Sequence, residues 1–421
     1  MTISYQKDRQ YYKFCAYGFF KNLKFFEPFL VLFLLSKGLS FLQIGTLYAI
    51  REITINIFEI PTGVLADSLG RRRSMMSAFL FYIVSFVVFY FSSSYWWFVA
   101  AMLFYAYGDA FRTGTHKAMI FEYLKINGWQ DQKVHYYGHT RSWSQKGSAV
   151  SAVLAAAIVF ISSDYRYVFL FSLIPYLIDL WLLSTYPKVL DGRRVGFNKG
   201  KIIESFRSTI RDFISSFRNA GMLRVVMSQA VYSGYYKAVK DYLQPVVKTF
   251  ALSLPFFMYL ETGQRSALMI GLIYSIIYFS TSYTARNAGR YASRFKNLSQ
   301  PMNITMIAGL LVGAISGLLF YQSFYLAAIV FYAVIFLIEN LRKPIGISLV
   351  ADRLEKDVLA TALSAESQAE TLVAAMIAPL LGFAADKWGV GAALMMVSLL
   401  LIVLMPLYRA GKPMTKNKLH S

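Results

Sequence analysis

Apolar runs of about the twenty residues that cross a bilayer follow one another down this chain, separated by short polar breaks. The pattern predicts twelve membrane helices, over residues 11–35, 41–66, 74–93, 96–124, 141–162, 166–186, 220–249, 264–290, 300–321, 324–352, 359–385 and 389–409. The long polar connection from Pro187 to Ala220 divides them into two sixes. The expected fold is therefore an all-α integral membrane protein. Residues 1–186 form one six-helix bundle, 187–219 a cytoplasmic linker, and 220–421 a second, pseudo-symmetric bundle. In the linker, Ile202, Ile203, Phe206, Ile210, Phe213, Ile214 and Phe217 recur at helical spacing opposite Arg207, Arg211 and Arg218. This is the pattern of an amphipathic helix lying on the inner leaflet.

The two sixes share internal sequence. Gly18-Phe19-Phe20-Lys21-Asn22-Leu23-Lys24 returns as Gly234-Tyr235-Tyr236-Lys237-Ala238-Val239-Lys240. In the fourth helix Asp109, Arg112, Glu122 and Leu124 have counterparts in the tenth at Glu339, Arg342, Asp352 and Leu354, with the same internal spacing. Gly147, Ser151, Ala152 and Ala155 of the fifth align with Ala374, Ala378, Pro379 and Gly382 of the eleventh, and Gly309, Gly313 and Gly317 recur in the ninth. Small residues at every fourth position let helices approach closely, so these ridges are read as packing. The lysines are different. A lysine in hydrocarbon costs several kcal/mol unless it faces protein or water, so charges repeated at matching depths point to a functional site.

Composition agrees with the pattern: 57% of the 421 residues are hydrophobic and only 15% charged. The net charge of +21 raises the possibility of nucleic-acid binding, but its distribution excludes that partner. Basic residues gather at alternate connections, for example Arg71 to Arg73, Lys125 and Lys133, and Arg286, Arg290 and Arg294, while the opposite loops hold little beyond Lys37, Arg166, Arg265 and Lys387. This positive-inside bias places both termini in the cytoplasm. Met1 to Lys13 is polar and the first apolar run is long enough to remain as a helix, so no cleaved leader is expected. Cys15 is the single cysteine, which rules out a disulfide framework. Short loops without a large soluble domain suggest a bacterial inner membrane.

After the second helix comes Gly63-Val64-Leu65-Ala66-Asp67-Ser68-Leu69-Gly70-Arg71-Arg72-Arg73. Here the chain resembles the major facilitator superfamily, whose signature between helices two and three is Gly-x-Leu-Ala-Asp-x-x-Gly-Arg-(Arg/Lys). The residues have physical uses of their own: Gly63 and Gly70 permit close helix contact and a tight turn, Asp67 is an acceptor, and Arg71 and Arg72 can bridge to acids such as Glu122. The resemblance implies that this cluster latches the outward-facing state. The chain departs from the family at Arg112-Thr113-Gly114, where many members have Arg-x-x-x-Gly. It departs again in the fifth helix, where Ser151-Ala152 and Ala155-Ala156 replace the Gly-Pro pattern of drug–proton antiporters.

The resemblance further implies that helices one, four, seven and ten line a central cavity. Those helices carry Lys21, Lys24, Arg112, Lys237, Lys240 and Arg342 as candidate substrate contacts, and Glu27, Asp109, Asp241 and Glu339 as proton-coupling or ion-pair acids. Six bases against four acids, with Lys343 as a further base, focus a positive potential, which points to an anionic solute. The competing reading is internal pairing, Asp109 with Lys21 or Arg112 and Glu339 with Lys237 or Arg342. Glu52 and Glu59, seven apart with Asn56 between them, are further coupling candidates. His116 is read first as a hydrogen-bonded interior histidine and second as a proton carrier. Glu366 and Glu370, one turn apart, could face a cation, but they do not define a metal site. No P-loop, nucleophile elbow or zinc helix occurs, so neither an enzyme nor a cofactor is expected. The expected function is secondary active transport of a small organic anion, driven by protons, by a monomer in the lipid bilayer. Efflux of lipophilic drugs and a receptor that kept the fold are the alternatives.

Overall fold

The structure, a computed structural model, describes residues 7–191, 200, 203–204, 207, 211, 220–256, 258–353 and 356–410. The amphipathic pattern expected over 202–217 falls almost wholly outside the described residues, as do Leu354 and the side chains of Asp67 and Asp352. Fourteen α-helices and no β-strand occur among the described residues. They make up the twelve passes.

The first pass is α1 (Arg9–Lys21), a 3-10 turn (Glu27–Phe29) and α2 (Leu30–Ser36). The second and third are α3 (Phe41–Leu69) and α4 (Arg71–Phe91), and the fourth is α5 (Tyr95–Arg112) with α6 (Thr115–Ile126). Then come α7 (Lys133–Ser162) and α8 (Tyr167–Ser184). The seventh pass is α9 (Ala220–Val239), a 3-10 turn (Lys240–Tyr242) and α10 (Leu243–Ser253). It is followed by α11 (Thr262–Ala292), α12 (Ser299–Tyr321) and α13 (Tyr325–Arg353). The last two passes lie in α14 (Lys356–Tyr408), which Gly389 divides with φ +84° and ψ 160°. Among the described residues, seven helical stretches are long and apolar enough to cross a membrane by length and composition.

Three passes expected to be continuous are broken, and local chemistry explains each break. At the end of α1, the Asn22 side-chain amide donates to the Gly18 carbonyl at 2.7 Å, which closes the helix, and Pro28 restarts the chain in the 3-10 turn. In the seventh pass the Lys240–Tyr242 turn sits between α9 and α10, and Pro245 lies in the first turn of α10, where its missing donor costs little. In the fourth pass Gly114 adopts φ +75°. Both copies of the repeated heptad therefore end at a helix break. The tenth pass, by contrast, runs through Pro344 without interruption.

The chain divides into two compact units. One contains residues 1–37, 53–206 and 255–278 and the other 38–52, 207–254 and 279–421, so α3 changes unit after Glu52 and α11 after Tyr278. In the first unit α4 packs on α5 and α8, and α1 packs on α7 and α8. The core there is aromatic: Phe169 stacks on Phe89 at 4.7 Å and meets Phe33 edge-on at 4.7 Å, while Tyr176 meets Phe86 at 4.8 Å. In the second unit α14 packs on α9 and α12. Tyr232 and Tyr235 lie directly against Gly309 and Gly313 of α12, and Gly317 faces the backbone at Gly391.

The small-residue ridges are packing surfaces. A Cβ placed on Gly45 would come 2.3 Å from the Ala378 carbonyl, and one on Gly382 would come 2.2 Å from that of Phe41. In the other unit a Cβ on Gly271 would come 2.5 Å from Ala156. Backbone contact this close supplies dispersion where lipid leaves no hydrophobic driving force between helices. Asp386 adds a polar tie, accepting from the Phe41 and Leu42 amides at 2.7 and 2.8 Å at the start of α3.

Candidate functional site

The breaks in passes one and four expose polar side chains in the first unit, around a cavity of about 390 Å³. Lys21, Arg112, His116, Lys117, Arg141 and Tyr17 line it, with Asn22, Thr140, Ser144 and Gln145 as neutral hydrogen-bonding groups, and no carboxylate is among its lining residues. Arg112 is fixed from behind. It pairs with Asp109 at 3.0 Å, and its Nε donates to the Tyr82 hydroxyl at 3.0 Å, while that hydroxyl donates to Asp109 at 2.6 Å. Lys21, Lys117 and Arg141 have no ion-pair partner among the described residues. The Lys117 ammonium lies 5.6 Å from the ring centroids of both Phe121 and Tyr137.

His116 stacks on Tyr17 with centroids 3.7 Å apart, and its Nε2 lies 3.3 Å from the Tyr186 hydroxyl. It is a hydrogen-bonded interior histidine on the wall of the cavity. Lys24 does not line the cavity; it faces Glu27 at 3.9 Å.

The second unit is organised differently. Lys237 lies 3.0 Å from Glu370 and 3.5 Å from Glu52, and Glu52 is also held by Arg51 at 2.8 Å. The Arg51 guanidinium covers the Tyr48 ring at 4.7 Å. Lys240 pairs with its neighbour Asp241 at 3.4 Å. The pairing expected of Glu339 is not found among the described residues: it accepts from Ser233 at 2.8 Å, and its other oxygen has no hydrogen-bond partner among them.

Arg342 points elsewhere although it lies only three residues along the helix. It is 0% exposed and donates to the carbonyls of Met302 and Ser228 and to the Thr305 hydroxyl, with its guanidinium 4.6 Å from the Tyr232 ring centroid. Neutral acceptors and an aromatic face take the place of a carboxylate, so the match between Arg112 and Arg342 is one of sequence position alone.

Around the signature loop, Arg71 lies 3.9 Å from Glu122. Gly70 turns at φ +96°, and a Cβ there would come 2.8 Å from Asp191 Cγ. Asp191 accepts from the Arg72 amide at 2.9 Å, and the Arg72 guanidinium donates to the Ser184 and Tyr186 carbonyls at 3.1 and 3.3 Å. Gly63 makes no close approach, since a Cβ there would meet nothing within 4 Å.

Sequence reasoning passed over Lys117, Arg141, Asp179 and Asp191. Two of these carried a signal. Arg141, Ser144 and Gln145 share one helical face, and Asp179 is the lone charge of the α8 run.

A bundle of twelve passes with fixed charge beside its broken helices has the build of a membrane transporter. Residues 14–367 match the model of the Major Facilitator Superfamily, and the chain belongs to that family. A relative from Bacillus subtilis (strain 168), the uncharacterized MFS-type transporter YxaM, is 24% identical over 235 residues. That match covers 54% of this chain and 56% of the relative, so it spans just over half the length of each. The fold is similar to the crystal structure of the nucleoside transporter NupG (TM-score 0.71, 13% identity, 95% of this chain and 96% of that one). It is also similar to a POT family transporter in complex with a thioalcohol conjugated peptide (TM-score 0.72, 13% identity, 95% of each chain). The protein is a multi-pass membrane transporter of this superfamily, and its relatives are transporters rather than enzymes.

Proposed function

We propose that this transporter moves a small organic anion and couples its movement to protons. The reading rests on the cavity of the first unit, where Lys21, Arg112, Lys117 and Arg141 converge without a lining carboxylate. An anion about 4 Å from one such cation gains roughly 4 kcal/mol at an effective dielectric of 20, and a second cation adds to it. Lys21 and Arg112 act as substrate contacts, with Asp109 and Tyr82 holding the arginine fork. Lys24, Lys237 and Lys240, each beside an acid, serve as conformational ion pairs with Glu27, Glu52, Glu370 and Asp241. Arg342 is a positioning residue. Glu339, which keeps one unpartnered oxygen, is the acid best suited to proton exchange in the second bundle.

In this reading residues 1–186 and 220–421 are the two bundles that rock, joined by the linker 187–219. The latch is formed by Gly70, Arg71, Arg72 and Glu122, together with Gly63 and Asp67. Both termini lie in the cytoplasm, the membrane is a bacterial inner membrane, and the working unit is a monomer.

The test is a thermal-shift screen of purified protein against anionic and cationic metabolites and drugs, followed by uptake of the hits into proteoliposomes under an imposed pH gradient. Anions are expected to stabilise the protein, and Lys21→Ala is expected to weaken that effect. Binding confined to lipophilic cations would overturn the anion reading, and transport indifferent to the pH gradient would remove proton coupling.

A further inference from the structure

Asp179 lies within α8, is 0% exposed, and neither of its oxygens has a hydrogen-bond partner among the described residues. Leaving a carboxylate without donors in a low-dielectric interior costs several kcal/mol, so such a group needs a cation or a proton.

The face of α8 that carries it is turned toward α1. Tyr176, three residues before it, donates to the Lys21 carbonyl at 3.3 Å, and Tyr186, seven residues after it, donates to the Lys13 carbonyl at 3.4 Å. Asp179 is thereby held between them, against the stretch of α1 that contains Tyr17 and Lys21. The charged side chain whose field reaches its carboxyl is Lys21, and Tyr17 and Tyr186 are the phenols beside it. The other titratable groups nearby are already engaged: Arg112 and Tyr82 with Asp109, Lys24 with Glu27 at 3.9 Å, Tyr176 with the Lys21 carbonyl, and His116 with Tyr17 and Tyr186. Lys21 is the exception, because it pairs with no carboxylate among the described residues yet lines the cavity. Its flexible stem gives the ammonium two destinations, the cavity on one side and Asp179 on the other.

We propose that Asp179 is the internal counter-ion of Lys21, and that Asp179 and the solute anion compete for its one ammonium. With the cavity empty, Lys21 turns to Asp179. An entering anion draws the ammonium into the cavity, and Asp179 takes up a proton from water in its place. Departure of the anion returns Lys21 to Asp179 and releases that proton, so each anion is accompanied by one proton. The proposal rests on the anion reading of the cavity.

Two measurements test it. Thermal unfolding of Lys21→Gln, Asp179→Asn and the double variant, without ligand, reads the pair directly. Each single change is expected to lower Tm, and the double variant to recover part of the loss, because no orphaned charge remains. Additive shifts would overturn the pairing. The second measurement is proton uptake in weakly buffered detergent, followed with a pH indicator as sulfate or benzenesulfonate is added; neither buffers near neutrality. Wild type is expected to take up about one proton per bound anion and Asp179→Asn none, while Asp179→Asn binds the anion several-fold more tightly because the competitor is gone. Equal uptake by the two proteins would overturn the switch. A non-additive Tm cycle in a protein that binds neither anion would make the pair a structural bridge, defeating the switch and the anion reading while leaving the contact intact.

Discussion

The two glycines of the signature loop, seven residues apart, are predicted to respond with opposite sign to the same substitution. Gly70→Ala places a side chain at φ +96° and ψ 137°, a region open essentially to glycine, which costs on the order of 1–3 kcal/mol. The new Cβ would also sit 2.8 Å from Asp191 Cγ, so the carboxylate must move. Asp191 then loses its bond to the Arg72 amide, a charge-assisted hydrogen bond worth roughly 1.5–3 kcal/mol. Gly63→Ala lies inside α3 with nothing within 4 Å of the added methyl. Replacing a helix-interior glycine by alanine gains about 0.5–1 kcal/mol. Thermal unfolding in detergent should therefore place Gly70→Ala several degrees below wild type and Gly63→Ala at or above it. Asp191→Ala, which removes the acceptor, should reproduce the amide part of the Gly70→Ala loss. If Gly63→Ala is destabilised as much as Gly70→Ala, or if Gly70→Ala is neutral, the geometry assigned to the loop is wrong.

Other substitutions separate structural charges from solute-binding ones. Lys237→Gln leaves Glu52 and Glu370 facing each other without their shared cation and should cost about 3 kcal/mol, with Glu370→Gln milder because Glu52 still holds the lysine. Arg342→Lys cannot reproduce a guanidinium that meets two carbonyls, a hydroxyl and a tyrosine face, so Tm should fall while anion affinity in the first unit is unchanged. His116→Phe keeps the stack on Tyr17 and gives up one hydrogen bond, so it should lower stability by about 1 kcal/mol and leave the pH profile of transport as it is in wild type. Asp386→Ala removes the acceptor of two α3 amides and should cost about 1–2 kcal/mol, read as a lower Tm and faster hydrogen exchange at Phe41 and Leu42.

The passes were legible because hydropathy summed over about twenty residues is insensitive to detail. The same averaging hid the breaks. Asn22 closes α1 through one side-chain bond and Gly114 interrupts the fourth pass through one dihedral, neither of which changes mean hydropathy. The departure from the family pattern at Arg112-Thr113-Gly114 marks the place where that helix stops.

The repeat singled out Lys21 and Lys237 as intramembrane charges, but it could not name their partners. Lys237 is answered by Glu52 of α3 and Glu370 of α14, neither of them on the four helices expected to hold the charges. Glu339 and Arg342 share the spacing of Asp109 and Arg112, yet carbonyls at Met302 and Ser228 capture the guanidinium. Such competition is decided by neighbouring helices in three dimensions, which spacing along one helix does not encode. Asp179 was visible as a single acid in an apolar run. What the sequence could not reveal was that both its oxygens are buried without a hydrogen-bond partner among the described residues, on the face of α8 from which Tyr176 reaches the Lys21 carbonyl.

The claim that the first unit holds an anion-binding cavity is tested most directly by calorimetric titration of purified wild type, Lys21→Gln and Arg141→Gln with an organic anion and with a lipophilic cation of similar size. The account predicts that wild type binds the anion alone and that each variant weakens it about tenfold, the loss of roughly 1.4 kcal/mol from one charge contact. Cation binding with no anion binding, or anion affinity unchanged in both variants, would contradict it.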